Sequence, residues 1–371
     1  MELPGIAGDL LGTAVNTADC IVVGAGIIGG SIVWRLARGG LRVILLDAGR
    51  MGPSKMGAAS WAAAGMLAPG GEIDSASPWA SFALENLRAY PGFVAELEAE
   101  TGESLDFQRH GALEIAMTEA DWAPLLRRAA CQEKLGIRAL RISGEEALRQ
   151  VPLLAPAVAG ALFYPEDALV DPRGILRALR AACLARGVEI REGVPVREVR
   201  PGRDTVEVVT GDGILSAGAA VLAAGAWSSG IRVAGCELPR TFPVRGHLAG
   251  FALDAGSIGP ILRCGHTYVL QRAAGFTVVG TSSEQCGFNH QLDKAIVSRI
   301  HERAAALVPA FAGRAFTESW LGFRPGVDGE GPIVRPVAGT TLWLAYGHYR
   351  NGILMAPLTA ARVADGIRSL A

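Results

Sequence analysis

No C-x-x-C pair and no other zinc-like spacing occurs among the six cysteines Cys20, Cys131, Cys183, Cys236, Cys264 and Cys286. A zinc ribbon or a disulfide framework therefore has no support, and no metal site is expected. Scattered, unpaired cysteines read as reduced thiols, which makes the cytoplasm the expected location. An excess of one charge is also missing: 35 basic side chains stand against 36 acidic ones, for a formal net charge of −1. That balance excludes the basic field of a nucleic-acid binder. No apolar run is long enough to span a membrane, and no internal repeat or low-complexity tract is visible. The stretch 1–18, MELPGIAGDLLGTAVNTA, lacks a basic start and carries Glu2 and Asp9, so it reads as a short disordered leader rather than a signal peptide. Nothing in the sequence sets the oligomeric state, and a homo-oligomer remains open.

What is present is a 371-residue chain, half of it apolar, with 48 glycines. That length exceeds one ordinary core and implies two domains. The first strong pattern is ADCIVVGAGIIGGSIVWRLARGGLRVILLDAGR. It reads as a strand over Cys20–Val23, a helix to about Arg38, and a second strand over Leu41–Leu46 ending at Asp47. Gly24, Gly26 and Gly29 match the dinucleotide fingerprint: a tight turn, a close backbone approach to pyrophosphate, and close packing of helix on strand. Asp47 stands where a carboxylate accepts hydrogen bonds from ribose hydroxyls, which disfavours a 2′-phosphate.

A run of small residues follows, MGPSKMGAASWAAAGMLAP from Met51 to Pro69, which lets backbone approach a flat, bulky ligand. Taken alone it reads better as a tightly packed Ala-rich helix. From Ser81 to about Ala159 the period is mostly helical. Strands are expected at Val188–Arg191, Val196–Val199 and Ala219–Ala223, the last running into the small-residue turn Ala224–Ser228. Between Pro239 and Phe276 the pattern changes to short alternating runs, as in FPVRGHLAGF and HTYVLQR, the mark of a mainly antiparallel sheet.

Together, the glycine fingerprint with Asp47, AAAGML at Ala62–Leu67, VLAAGAWS at Val221–Ser228, PVRG at Pro243–Gly246, GFRPGVDGEGPIV at Gly322–Val334 and GHYRNGILMAP at Gly347–Pro357 resemble known flavoproteins. They are similar to the FAD-dependent amine oxidases of the D-amino-acid oxidase superfamily, and within it to the glycine oxidases of thiamine biosynthesis. The resemblance implies an α/β fold: a Rossmann-like FAD-binding domain with an inserted, mainly antiparallel α+β substrate domain. The expected division is 19–95, 160–240 and 320–371 for the FAD domain, with 96–159 and 241–319 for the substrate domain.

FAD is expected to be non-covalent, because no cysteine or histidine stands at a clear attachment position beside the GFRPG or HYRNG motifs; the resemblance implies how it would be held. Its ADP half would rest on Gly24, Gly26, Ile28, Gly29 and Asp47, with Val196 near the adenine. Its ring would be wrapped by Ser60, Ala64, Gly65, Met66, Gly225, Trp227, Arg324, Arg350, Asn351, Gly352, Ile353 and Leu354. Asp47 stands where a glutamate is common in the family, and Ser60-Trp61 where Thr-Ser is common. A helix starting after Asn351-Gly352 would aim its N–H groups at the pyrimidine end of a reduced flavin. Arg324 and Tyr268 are the expected carboxylate binders, because a guanidinium grips a carboxylate through two parallel hydrogen bonds. Met66, Arg350 and His266 are further substrate candidates, and His348 is ambiguous.

The activity implied is oxidative deamination of glycine or another small amine or amino acid, with oxygen reduced to hydrogen peroxide. Open alternatives are a D-amino-acid dehydrogenase, a sarcosine or D-proline oxidase, a hydroxy-acid oxidoreductase, and a non-catalytic dinucleotide binder.

Overall fold

The computed structural model describes residues 18–53 and 57–370. The expected leader falls outside that range, except that Ala18 already belongs to the first strand. β1 (Ala18–Val23), α1 (Ile27–Arg38) and β2 (Val43–Asp47) form the anticipated unit, with the two strands paired in parallel. Ile214–Leu222 pairs in parallel with β1, and Glu189–Glu192 with β2. Leu342–Tyr346 runs parallel beside the far end of Ile214–Leu222. These strands centre a nine-stranded sheet whose edge is built from antiparallel strands, including Val196–Pro201 and Val206–Thr210. β1 and β2 are buried on both faces, which explains their unbroken apolar runs. One face is covered by α1, by Pro172–Ala185 and by the C-terminal helix Gly352–Arg368, whose apolar side chains share one core with the sheet.

The second sheet has eight strands, in the order Glu318–Val327, Thr241–Ala252, Phe276–Gly280, Thr267–Gln271, Ile261–Cys264, Ala112–Ala116, Gly160–Tyr164, Leu140–Ser143. Only the pairing of Ile261–Cys264 with Ala112–Ala116 is parallel, so the antiparallel expectation holds. The helix Lys294–Leu307 packs on one face through Val297 and Ile300, against Ala249, Phe251 and Val279. On the opposite face, Leu248, Tyr268, Leu270 and Val278 form a separate cluster. The fold is thus mixed α/β, with a parallel-centred sheet and a mainly antiparallel one.

The region 81–159 is mostly helical, as expected, through Pro78–Thr101, Trp122–Glu133 and Gly144–Gln150, but it also contributes two unforeseen strands, Ala112–Ala116 and Leu140–Ser143, to the second sheet. Glu114 hid the first of these by breaking an apolar run, yet it is buried there because Arg263 lies directly across the strand pair. The expected division of the chain also misplaces two strands. Gly160–Tyr164 and Glu318–Val327 belong to the second sheet, because their hydrogen bonds go to Ala112–Ala116 and Thr241–Ala252.

Candidate active site

A cavity of about 1240 Å³ runs from the β1–α1 turn, past the C-terminal motif, to the second sheet. At its first end lie Gly24, Gly26, Ile28, Asp47 and Val196. Gly29 does not line it. A Cβ on Gly29 would stand 1.8 Å from the Gly24 carbonyl oxygen, so this third glycine serves the packing of helix on turn. Asp47, closing β2, accepts the Ala25 N–H and the Gly49 N–H, each at 2.6 Å, and so ties the glycine turn to the strand end. Gly26 opens α1 without a capping side chain. The Ile27 N–H is taken by Ser60 Oγ at 2.9 Å, which fastens the small-residue segment to the helix N-terminus.

Further along, Ser60, Ala64, Gly65, Met66, Gly225, Trp227, Asn351, Gly352 and Ile353 line the cavity, as expected. Leu354 does not. One residue into the helical turn, it faces the core shared with α1 and is 1 % exposed. The C-terminal helix begins at Gly352. The Asn351 side chain does not cap that helix; it donates to Glu72 at 2.9 Å. Arg350 also pairs with Glu72, at 3.1 Å, so its charge already has a carboxylate partner. His348 is buried away from solvent, with Nε2 bonded to Thr359 Oγ1 at 3.1 Å, and burial lowers its pKa to about 3. It is a neutral structural side chain. An elongated cavity, a helix N-terminus reached through glycines, and an acid at the next strand end together suit a dinucleotide such as FAD.

At the far end the structure brings Arg324 and Tyr268 together over Thr281. Arg324 donates to Ser282 O at 3.1 Å and to Thr281 Oγ1 at 2.8 Å. It lies flat on Gly246, where a Cβ would come within 2.4 Å of the guanidinium, which explains the glycine of PVRG. No carboxylate pairs with Arg324 among the described residues. Tyr268 is buried, in contact with the Thr281 side chain; burial pushes its phenol up to about 12, against the pull of Arg324. It is a proton-bearing donor at any neutral pH. His266 lines the same end but is exposed in the turn before Thr267–Gln271.

Several groups at the site carry no sequence signal of their own. Arg263, nearly fully buried, pairs with Glu114 at 2.9 Å and Asp167 at 3.1 Å, and burial raises Asp167 to about 6. Arg173 lies between the Trp61 and Trp320 rings and grips Glu318 with both guanidinium ends, at 3.0 and 2.8 Å. It thereby locks the Ser60–Trp61 segment to the strand that carries Arg324. Arg272 donates to the carbonyls of Ala64 and Val170, holding the next part of that segment. Trp227 stacks on Phe288, with ring centroids 5.0 Å apart, and both meet Phe323 edge-on. The partners in these contacts lie far apart in sequence, where a single-chain pattern has no reach.

Comparison with known proteins agrees with this geometry. A family model described as FAD dependent oxidoreductase matches residues 19–366. The glycine oxidase of Bacillus licheniformis is 30% identical, over 94% of this chain and 92% of its own length. The bifunctional protein ThiO/ThiG of Synechocystis is 34% identical over 94% of this chain, which spans about half (51%) of that longer protein. The crystal structure of glycine oxidase from Geobacillus kaustophilus superposes with a TM-score of 0.88 at 29% identity, covering 95% of each chain. The chain belongs to the family of FAD-dependent oxidoreductases.

Proposed function

We propose that this chain oxidises glycine or another small α-amino acid, binding the substrate's carboxylate on Arg324 and Tyr268. The observation that carries this reading is the guanidinium of Arg324. It faces the cavity, is oriented by two neutral acceptors, and has no acidic partner among the described residues. A half-buried cation held in that way is matched by an incoming carboxylate. Tyr268 adds a neutral donor beside it. When bound, FAD supplies the hydride acceptor and passes the electrons to oxygen, releasing hydrogen peroxide.

The protein's own contribution is alignment. Two-point holding of the carboxylate fixes where the α-carbon stands, and a fixed near-attack position is worth several kcal/mol. The imine left on the substrate hydrolyses to an α-keto acid, glyoxylate in the case of glycine, and ammonia. The glycine oxidases among the relatives support glycine as substrate. A place in thiamine biosynthesis, implied by the sequence resemblance, rests on the half-length match to ThiO/ThiG. A cytoplasmic setting is supported by six unpaired cysteines, and no helix among the described residues is long and apolar enough to cross a membrane.

The test is anaerobic mixing of the holoprotein with glycine, sarcosine, D-alanine, glycolate and methylamine while flavin absorbance is followed. Bleaching by glycine and not by glycolate or methylamine is the expected result. Bleaching by glycolate alone would move the reaction to hydroxy acids. Comparing peroxide yield with dye reduction then separates oxygen from another electron acceptor.

A further inference from the structure

We propose that Glu284 is a positioning residue for Arg324, acting through the segment Thr281–Glu284 at the edge of the cavity. The inference deepens the function proposed above and rests on Arg324 as the carboxylate binder.

The geometry begins with strand alternation. Along Thr241–Ala252, Leu248 packs on the cavity side with Tyr268, while Ala249 and Phe251 pack under the helix Lys294–Leu307. A period of two therefore puts Gly246, on which Arg324 lies, on the cavity side, and Arg245 and His247 on the helix side. Beyond Gly280 the chain continues alongside this strand. The Arg245 N–H donates to Glu284 O at 2.9 Å, and the Glu284 N–H to Arg245 O at 3.0 Å. Both acceptors of Arg324, Thr281 Oγ1 and Ser282 O, belong to this extension.

At the edge of the cavity the Glu284 carboxylate is the hub of a network that reaches Arg245 and His247 on the helix side. Its Oε1 accepts from Ser282 Oγ at 2.6 Å and from His247 Nδ1 at 3.0 Å, and its Oε2 accepts from Arg245. Arg245, buried, also donates to the carbonyls of Asn289 and Gln291, at 3.2 and 3.1 Å. The proton on His247 is fixed by its neighbours. Nε2 accepts the Asp293 N–H at 3.1 Å, so the ring's own proton sits on Nδ1 and points at Glu284. Ser282 Oγ in turn accepts the His247 N–H at 2.9 Å. Arg245 Nε alone is left without a partner among these groups, and the charge of Glu284 is neutralised by Arg245.

The arrangement divides two tasks between two sets of groups. Arg324 is oriented by neutral atoms, which leaves its charge for a ligand. The carboxylate that immobilises those atoms is paired elsewhere and does not compete. Glu284→Gln leaves Arg245 buried without a counter-charge and gives His247 and Ser282 one poorer acceptor. The segment then loosens, and Arg324 keeps its charge but loses its aim.

The test is titration of the FAD-loaded protein with acetate, read by the perturbation of flavin absorbance, so that no turnover is needed. Glu284→Gln is expected to raise the acetate Kd about 5–20-fold while FAD affinity stays parental. Arg324→Met should raise it further, and the double variant should bind acetate no more weakly than Arg324→Met alone, because both losses follow one path. A parental acetate Kd in Glu284→Gln, or losses that add in the double variant, overturns the positioning role. A parental Kd in Arg324→Met overturns the carboxylate reading itself, which is a different result. Should Glu284→Gln fail to retain FAD, Ser282→Ala carries the same test. It keeps the carbonyl that accepts from Arg324 and deletes the hydroxyl that donates to Glu284; an unchanged acetate Kd there refutes the proposal.

Discussion

Replacing Arg324 by lysine retains the charge and removes the fork, which isolates the geometric role of the guanidinium. A guanidinium carries five N–H donors, and here one goes to Ser282 O and one to Thr281 Oγ1, leaving enough to grip a carboxylate at two points. An ammonium has three donors in all. If the same two acceptors keep theirs, the substrate is held by one bond and its α-carbon swings. The loss of one charge-assisted hydrogen bond costs about 1.5–3 kcal/mol, or about one to two decades in kcat/KM. Because alignment as well as binding suffers, the rate of anaerobic flavin reduction at saturating glycine should fall along with affinity. Stopped-flow absorbance measures both quantities in one series of glycine concentrations. Arg324→Met, lacking charge and fork alike, should be worse. If Arg324→Met reduces its flavin with glycine at the parental rate and half-saturation, the guanidinium does not bind the substrate, and the assignment of an α-amino acid loses its basis.

Asp47→Asn retains one acceptor oxygen for the Ala25 and Gly49 N–H groups, both now held by the carboxylate, and should weaken FAD binding by about 1–2 kcal/mol; fluorescence titration of apoprotein with FAD checks it, and the reduction rate of the loaded variant should stay near parental. His348 gives the protein an acid-sensitive core. The folded side chain has a pKa of about 3 against an ordinary 6.5, so below pH 6.5 the unfolded chain takes up a proton that the folded chain refuses. Stability therefore falls as pH is lowered below 6.5, by roughly 2–3 kcal/mol at pH 4.5. Urea unfolding of the holoprotein at pH 7 and 4.5 should show that loss, and His348→Gln should flatten it. Acid precipitation should release all the yellow colour into the supernatant: Cys264, the nearest candidate for a flavin link, packs on the helix side of the second sheet, away from the cavity. Colour retained in the pellet would mean a covalent bond.

The β1–α1–β2 unit and its glycines were legible because their signal is local: period, turn residues and an acid at a strand end all fall within one short window. The C-terminal motif was legible for the same reason, although Leu354 shows that a motif does not say which of its residues face inward. Ala112–Ala116 was missed because a buried Glu114 looks polar until its partner Arg263 is known, and that partner is 149 positions away. The same distance effect concealed Arg173 and Glu318, separated by 145 positions. Arg324 could be picked out of its FRPG motif, but the network around Glu284 could not. Alternation marks Arg245 and His247 only as polar residues on one side of a strand, and nothing local says that the segment after Gly280 closes over them.

The helix Gly352–Arg368 lies against α1, and the strand beside β1 is Ile214–Leu222, so the β1–α1 unit is completed by elements roughly 180 to 320 residues further along. On a ribosome adding about 5–20 residues per second, roughly 15–60 s separate the emergence of α1 from that of the helix that covers it. Throughout that interval Ile32, Leu36 and their neighbours are in water or in the grip of a chaperone. The dinucleotide turn cannot be secured until Gly352–Arg368 has emerged, so cofactor capture waits for that helix.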